Sequence, residues 1–178
     1  SAQHKTLIRI RSDHTRQFLM PEDNRARMIK LAEEFFNMKN DPAQLSVDED
    51  TIRRLLEIHP STLTEKTDEN GPIAWTLIIP TTKKVMDDFL TNKITEKEIL
   101  NCTQLGGKYD AIYLCSALVL PEYRGKGLAK QMVCEAIQSI LNQHPIQSLF
   151  MWSFSIEGKK LANAVAKEFN LPLFEKPV

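Results

Sequence analysis

The sequence reads as an α/β (α+β) domain, a mixed central sheet flanked by helices, and three observations carry that reading. Ala111–Val119 is a largely apolar, partly β-branched run, the pattern of a buried strand. The run breaks at Pro121 and restarts as a helix whose apolar stripe is Leu128, Met132, Val133, Ala136, Ile137, Ile140 and Leu141. Asn70-Gly71, set between two strand-like runs, is a hairpin turn signal.

Taken in order, Thr6–Arg11 alternates imperfectly between apolar and polar and suits a first strand. Pro21 opens a helix over Glu22–Asn37, with Met28, Leu31, Ala32, Phe35 and Phe36 on one side. Ser46 and Glu49 form a capping box for a second helix that buries Ile52, Leu55 and Leu56. Ser61–Lys66 and Pro72–Ile79 are the hairpin strands, and Pro80 is expected to end the second. Residues 81–107 are an insertion of two short helices between the third and fourth expected strands. Val85, Met86, Phe89 and Leu90 mark one of them, and the box Thr95–Glu98 starts the other, with Ile99 and Leu100. Surface decoration and a lid or wall over a ligand both suit such an insertion. After the helix that follows Pro121, a turn at 142–145 leads to a strand over Gln147–Phe154. A last helix runs from Glu157 to Phe169, with Leu161, Ala164 and Val165 inward, and Leu171–Phe174 adds a short strand.

At 178 residues the chain is read as one domain over 1–178. Lys plus Arg equal Asp plus Glu at 23 each, so bulk charge argues for neither nucleic acid nor a membrane surface as partner. The longest apolar run is too short to span a bilayer, and residues 1–18 carry charges throughout, unlike a signal peptide. Three cysteines, odd in number and without ligand spacing, read as reduced thiols and imply no metal. A cytoplasmic location is the expectation.

The chemistry concentrates in Val119-Leu-Pro-Glu-Tyr-Arg-Gly-Lys-Gly-Leu-Ala129. Gly125 and Gly127 permit backbone conformations and close approaches that side chains forbid. Amides opening the following helix have no intrahelical partner, and the helix dipole adds positive potential there. With Arg124 and Lys126 alongside, this turn suits a phosphorylated ligand. It is neither a Walker A loop nor a Rossmann G-x-G-x-x-G, and a kinase or nucleotidase is disfavoured accordingly.

Arg124–Ala129 reads R-x-x-G-x-A, preceded by Val119-x-Pro121 and Tyr123, and it resembles the acyl-CoA signature of the GNAT superfamily of N-acetyltransferases. The resemblance is strong over Ala111–Phe174 and loose before it. It implies the GNAT fold, with about six to seven strands, and a site for acetyl-CoA. Arg124, Gly125, Lys126, Gly127, Leu128 and Ala129 would hold the coenzyme A pyrophosphate, the backbone near Leu118 and Val119 would pair with the pantetheine arm, and Asn163 would bond that arm. It also implies that the strands at Ala111–Val119 and Gln147–Phe154 splay apart, and that an amide near Leu118 and Val119 polarises the thioester carbonyl. The family's usual tyrosine acid falls on Ala166, which cannot donate a proton. Ser155 and Tyr113 are the candidate substitutes. No strand carboxylate supplies a base, since Asp110 reads as a turn residue and Glu122 as solvent-exposed. The acidic stretch Asp41–Asp50 is a candidate acceptor wall.

Two functions follow from the resemblance. The first is direct transfer of acetyl from acetyl-CoA to a primary amine of a small molecule or peptide. The alternative is a non-catalytic acyl-CoA sensor or interaction module. The acceptor amine is not identified, and a second copy of the chain stands as a candidate partner.

Overall fold

The computed structural model describes residues 23–39, 44–45 and 47–177. The expected strand at Thr6–Arg11, Pro21, the Phe36 side chain, and Asp41–Ala43 and Ser46 of the acidic stretch lie outside them.

Helix α1 (Asn24–Lys39) starts at the Asp23 carboxylate, which accepts the Ala26 N–H at 2.8 Å. Helix α2 (Glu49–Ile58) is capped by Asp48, which accepts from Thr51 N at 2.8 Å, two residues after the expected Ser46 cap. Ionised Asp48, with Glu49 and Asp50 in the first turn, complements the helix dipole better than a serine hydroxyl would. A 3-10 turn at Pro60–Thr62 then leads into the hairpin of β1 (Leu63–Asp68) and β2 (Gly71–Thr81). Gly71 takes φ +116°, which explains its place in the turn.

Pro80 does not end β2. It pairs with Ile112, and the strand runs on to Thr81. The Thr81 carbonyl accepts from Asp110 N, so Thr81 faces β3 and Pro80 faces the opposite edge. On that edge β1 has already finished, at Leu63 opposite Leu77. The missing proline N–H therefore costs no ladder bond.

Helices α3 (Lys83–Leu90) and α4 (Glu96–Cys102) form the insertion, and α4 carries the expected Thr95–Glu98 box. Then come β3 (Ala111–Val119), α5 (Leu128–Leu141), β4 (Ser148–Met151), α6 (Ile156–Phe169) and β5 (Leu173–Glu175). Among the described residues the sheet has five strands in the order β1-β2-β3-β4-β5, fewer than the six to seven expected. The first three strands are antiparallel neighbours, and β3, β4 and β5 are parallel, with α5 and α6 as crossovers. None of the described helices is long and apolar enough to cross a membrane.

The insertion is more than surface decoration, because its apolar residues belong to the main core. Val85, Met86, Phe89, Ile99 and Leu100 are buried with β2, β3 and β4, and the Phe89 ring lies 5.3 Å from Tyr113 and 5.9 Å from Phe150. Glu96 is wholly buried, accepts Leu45 N–H at 2.8 Å and takes a short hydrogen bond from the Tyr113 hydroxyl. A buried carboxylate persists only when its lone pairs are met in this way.

Two histidines tie the far end of the core. His59 Nδ1 accepts Ser61 N–H at 3.0 Å, and His144 Nδ1 accepts Tyr109 N–H at 3.3 Å. Both rings are therefore used in the neutral form. Burial, then the neighbouring His144, lowers the His59 pKa; burial, then Lys108, lowers that of His144. With folded pKa values below the ordinary 6.5, the unfolded chain binds more protons, so this stability is complete above that value and is lost as pH falls beneath it. Urea midpoints measured down to about pH 5 are expected to fall below pH 6.5, and less steeply in His59→Asn. Equal slopes in the two proteins would remove His59 from the account.

Candidate active site

The site begins with an irregularity in β3. Leu77 pairs with Ser116 and Ile78 with Leu114, so Cys115 is an extra residue, a β-bulge. On its other edge β3 pairs with β4 only from Ala111 to Leu114. β4 stops at Met151, short of the expected Phe154. Bending at the bulge coincides with the end of pairing, and the two strands part there, as the resemblance implies. Sequence periodicity carries no signal of the bulge.

Beyond the split, β3 keeps an open edge. Leu120 N–H donates to Ile73 O at 2.9 Å, so Leu120, and by alternation Leu118, face β2. The N–H and C=O of Val119 and Ala117 therefore point into the gap. The Val119 carbonyl, on that side, accepts from Arg124 Nε at 2.9 Å. Of the two expected backbone contributors, Val119 turns its amide toward the gap and Leu118 does not; the amide of Ala117, outside that expectation, faces the gap as well.

The glycine turn closes one end of the gap. Gly125 and Gly127 have φ +75° and +77°, and a Cβ at either would enter open space. Gly127 is the N-cap of α5 and supplies no side-chain cap, while its carbonyl takes Gln131 N–H as the first intrahelical bond. The amides of Leu128, Ala129 and Lys130 are left pointing outward. The turn itself is held from behind. Tyr123 makes a short hydrogen bond to Asp68, whose other oxygen accepts from Asn24 at 2.8 Å. Arg27 grips Glu122 with two bonds of 2.6 Å each, and that guanidinium holds the carboxyl down at about 2. Glu122 is thus an anchor, too weak a base to deprotonate an amine.

A groove of about 700 Å³ joins these parts. Its floor is Leu114–Val119 with Met151, one wall is Arg124, Gly125 and Gly127–Lys130, and the other is Trp152, Phe154, Ser155 and residues of α6. Leu31, Glu34 and Phe35 of α1 reach it from the far side. No residue from 81–110 lines it in this conformation.

A model of the acetyltransferase (GNAT) family matches residues 28–157. The chain belongs to that family. Among solved structures, it is similar to an aminoglycoside acetyltransferase from an uncultured soil metagenomic sample, in complex with sisomicin. That similarity has 15% identity and a TM-score of 0.44, covering 80% of this chain and 77% of that one. None of the curated proteins compared with the chain matches it.

For a GNAT domain, the side chains divide clearly. Ser155 lies on the groove, where it caps α6 by accepting Gly158 N–H at 3.0 Å and keeps its own hydroxyl hydrogen to donate. Tyr113 does not reach the groove: it is fully buried and bonded to Glu96, which excludes it as a proton donor to a substrate there. Asn163 is exposed on α6 and bonds Lys159 O at 2.9 Å, within its own helix. Lys126 leans over the Tyr123 ring, 5.6 Å from its centroid, outside the groove lining. Asp110 accepts Lys83 N–H at 2.6 Å, satisfying the first amide of α3, whose N-cap is Thr82. Ala166 is buried, and its neighbours Leu161, Ala162 and Val165 give the groove an apolar α6 face. No group of three or more His, Cys, Asp or Glu among the described residues could hold a metal.

Proposed function

We propose that the protein transfers an acetyl group from acetyl-CoA directly to a primary amine of a small molecule or peptide. The observation that carries this reading is the continuity of one groove, from the open amides of Leu128–Lys130 to the unpaired edge of β3. The helix-opening amides, with Arg124 and Lys130, bind the pyrophosphate. The outward N–H groups of Val119 and Ala117 meet the pantetheine arm and the thioester carbonyl, and the donor at the carbonyl stabilises the charge that builds on its oxygen. The amine nitrogen attacks the carbonyl carbon, the C–N bond forms and the C–S bond breaks. The amine's surplus proton leaves through water. Ser155 relays a proton from solvent to the departing thiolate, its hydroxyl giving up one proton as water returns another, so that no alkoxide forms.

The apolar face of α6 favours one other reading, an acyl-CoA sensor without turnover, because the family's usual tyrosine position on that helix is Ala166, which offers no proton. Free-thiol release from acetyl-CoA, measured against a panel of amines, separates the two. Amine-dependent release is expected, and its rate is expected to drop about tenfold or more in Ser155→Ala. Binding without release across the panel would contradict the transferase reading.

A further inference from the structure

The end of β4 carries a group of aromatic rings that the transfer chemistry leaves unused. Trp152 lines the groove, packs tilted against Phe154 at 4.5 Å between centroids, and meets Phe89 edge-on at 6.3 Å. Over this pair sits an ammonium: Lys176 Nζ is 4.6 Å from the Phe89 centroid and 4.6 Å from that of Trp152. The lysine is pinned there by its own backbone, whose N–H donates to Met151 O at 2.9 Å. Among the described residues no carboxylate lies within ion-pair distance of Lys176, and its neighbour Glu175 pairs instead with Lys159 at 3.3 Å. The two ring faces, with their negative quadrupoles, attract this charge.

Two features connect the arrangement to the groove. Trp152 belongs to both, so a ligand in the groove reaches a ring that already holds an ammonium. Glu157, on the same wall of the groove as Trp152, adds a carboxylate that attracts a cationic guest there, while Arg124 and Lys130 stand on the opposite wall. Phe89 is completely buried with Lys176 lying over its ring, and withdrawing that side chain would open the ring face.

We propose that Phe89 and Trp152 form an ammonium subsite that opens off the groove behind Trp152 when Lys176 withdraws, and that the chain's own Lys176 occupies it in this conformation. The acceptor that fits is an amine on a flexible, unbranched alkyl arm, the chemistry Lys176 itself displays, and it binds by displacing that side chain. The inference rests on the proposed transfer, with the acceptor amine entering the groove on the Trp152 side of the thioester, but its test does not require turnover.

The test uses the full chain carrying Trp75→Phe, which leaves Trp152 as the sole tryptophan, titrated with n-butylammonium chloride or neutral n-butanol while emission is followed. In Lys176→Gln, butylammonium is expected to change the emission at roughly tenfold lower concentration than in the parent, with the butanol response unchanged and Lys176→Arg behaving as the parent. Equal butylammonium responses in parent and Lys176→Gln would overturn the proposal, as would a gain shared by butanol. Where acetyl transfer is measurable, Lys176→Gln is expected to lower KM for alkylamines and leave KM for acetyl-CoA unchanged. Absence of transfer would count against the proposed function, while the emission titrations would still decide the subsite.

Discussion

Gly127→Val is expected to reduce acetyl-CoA affinity at least about a hundredfold while the protein stays folded. The new side chain would project into the open space before the α5 amides, where the phosphates must approach within hydrogen-bond distance. The backbone also pays, since φ +77° is a left-handed conformation that costs a non-glycine residue roughly 1–2 kcal/mol. That strain is small against a typical stability of about 5–15 kcal/mol, so lost binding and lost folding are separable by circular dichroism on the same sample. Arg124→Ala serves as the comparison. One charge-assisted contact is worth about 1.5–3 kcal/mol, and the amides remain, so its loss is expected to weaken binding by roughly ten- to a hundredfold. Unchanged affinity in folded Gly127→Val would remove the turn from the site.

The second large effect concerns stability. Phe89→Ala is expected to cost about 3–5 kcal/mol, the range for deleting a buried aromatic ring. Phe89 belongs to the insertion, yet it is fully buried and within ring-contact distance of Tyr113, Phe150 and Trp152. Urea denaturation with the slope held in common reads the loss directly. Leu105→Ala, at an exposed position in the same insertion, is expected to change stability by less than about 0.5 kcal/mol. A loss below about 1 kcal/mol at Phe89 would mean that the insertion packs only loosely against the sheet.

The parts legible in the sequence are those governed by local chemistry. Asn70-Gly71 marks its hairpin, Thr95 and Glu98 their capping box, and the glycines of the Arg124–Ala129 turn their left-handed backbone. What escapes a sequence reading depends on partners distant in the chain. Pro80 sits within β2 because β1 happens to end beside it, and no local signal tells how long a neighbouring strand is. The bulge at Cys115 is a mismatch in residue count between two strands, invisible in either alone. Tyr113 reads as an available acid in the sequence, but in the fold Glu96, from the insertion, meets its hydroxyl in the core. The insertion's apolar periodicity is plain, but periodicity tells which face is buried and not against what. The Lys176 contact joins residues from a helix, a strand end and the last few residues, and no spacing rule unites them.

The most direct test of the account is calorimetric titration of the purified chain with acetyl-CoA, with coenzyme A and dephospho-coenzyme A as companions. Saturable one-site binding of acetyl-CoA, lost in Gly127→Val, is the expected result. A folded wild-type protein that gives no binding heat with any of the three, and no shift in thermal midpoint in their presence, would contradict the claim that the Arg124–Ala129 turn and the open edge of β3 form an acyl-CoA site.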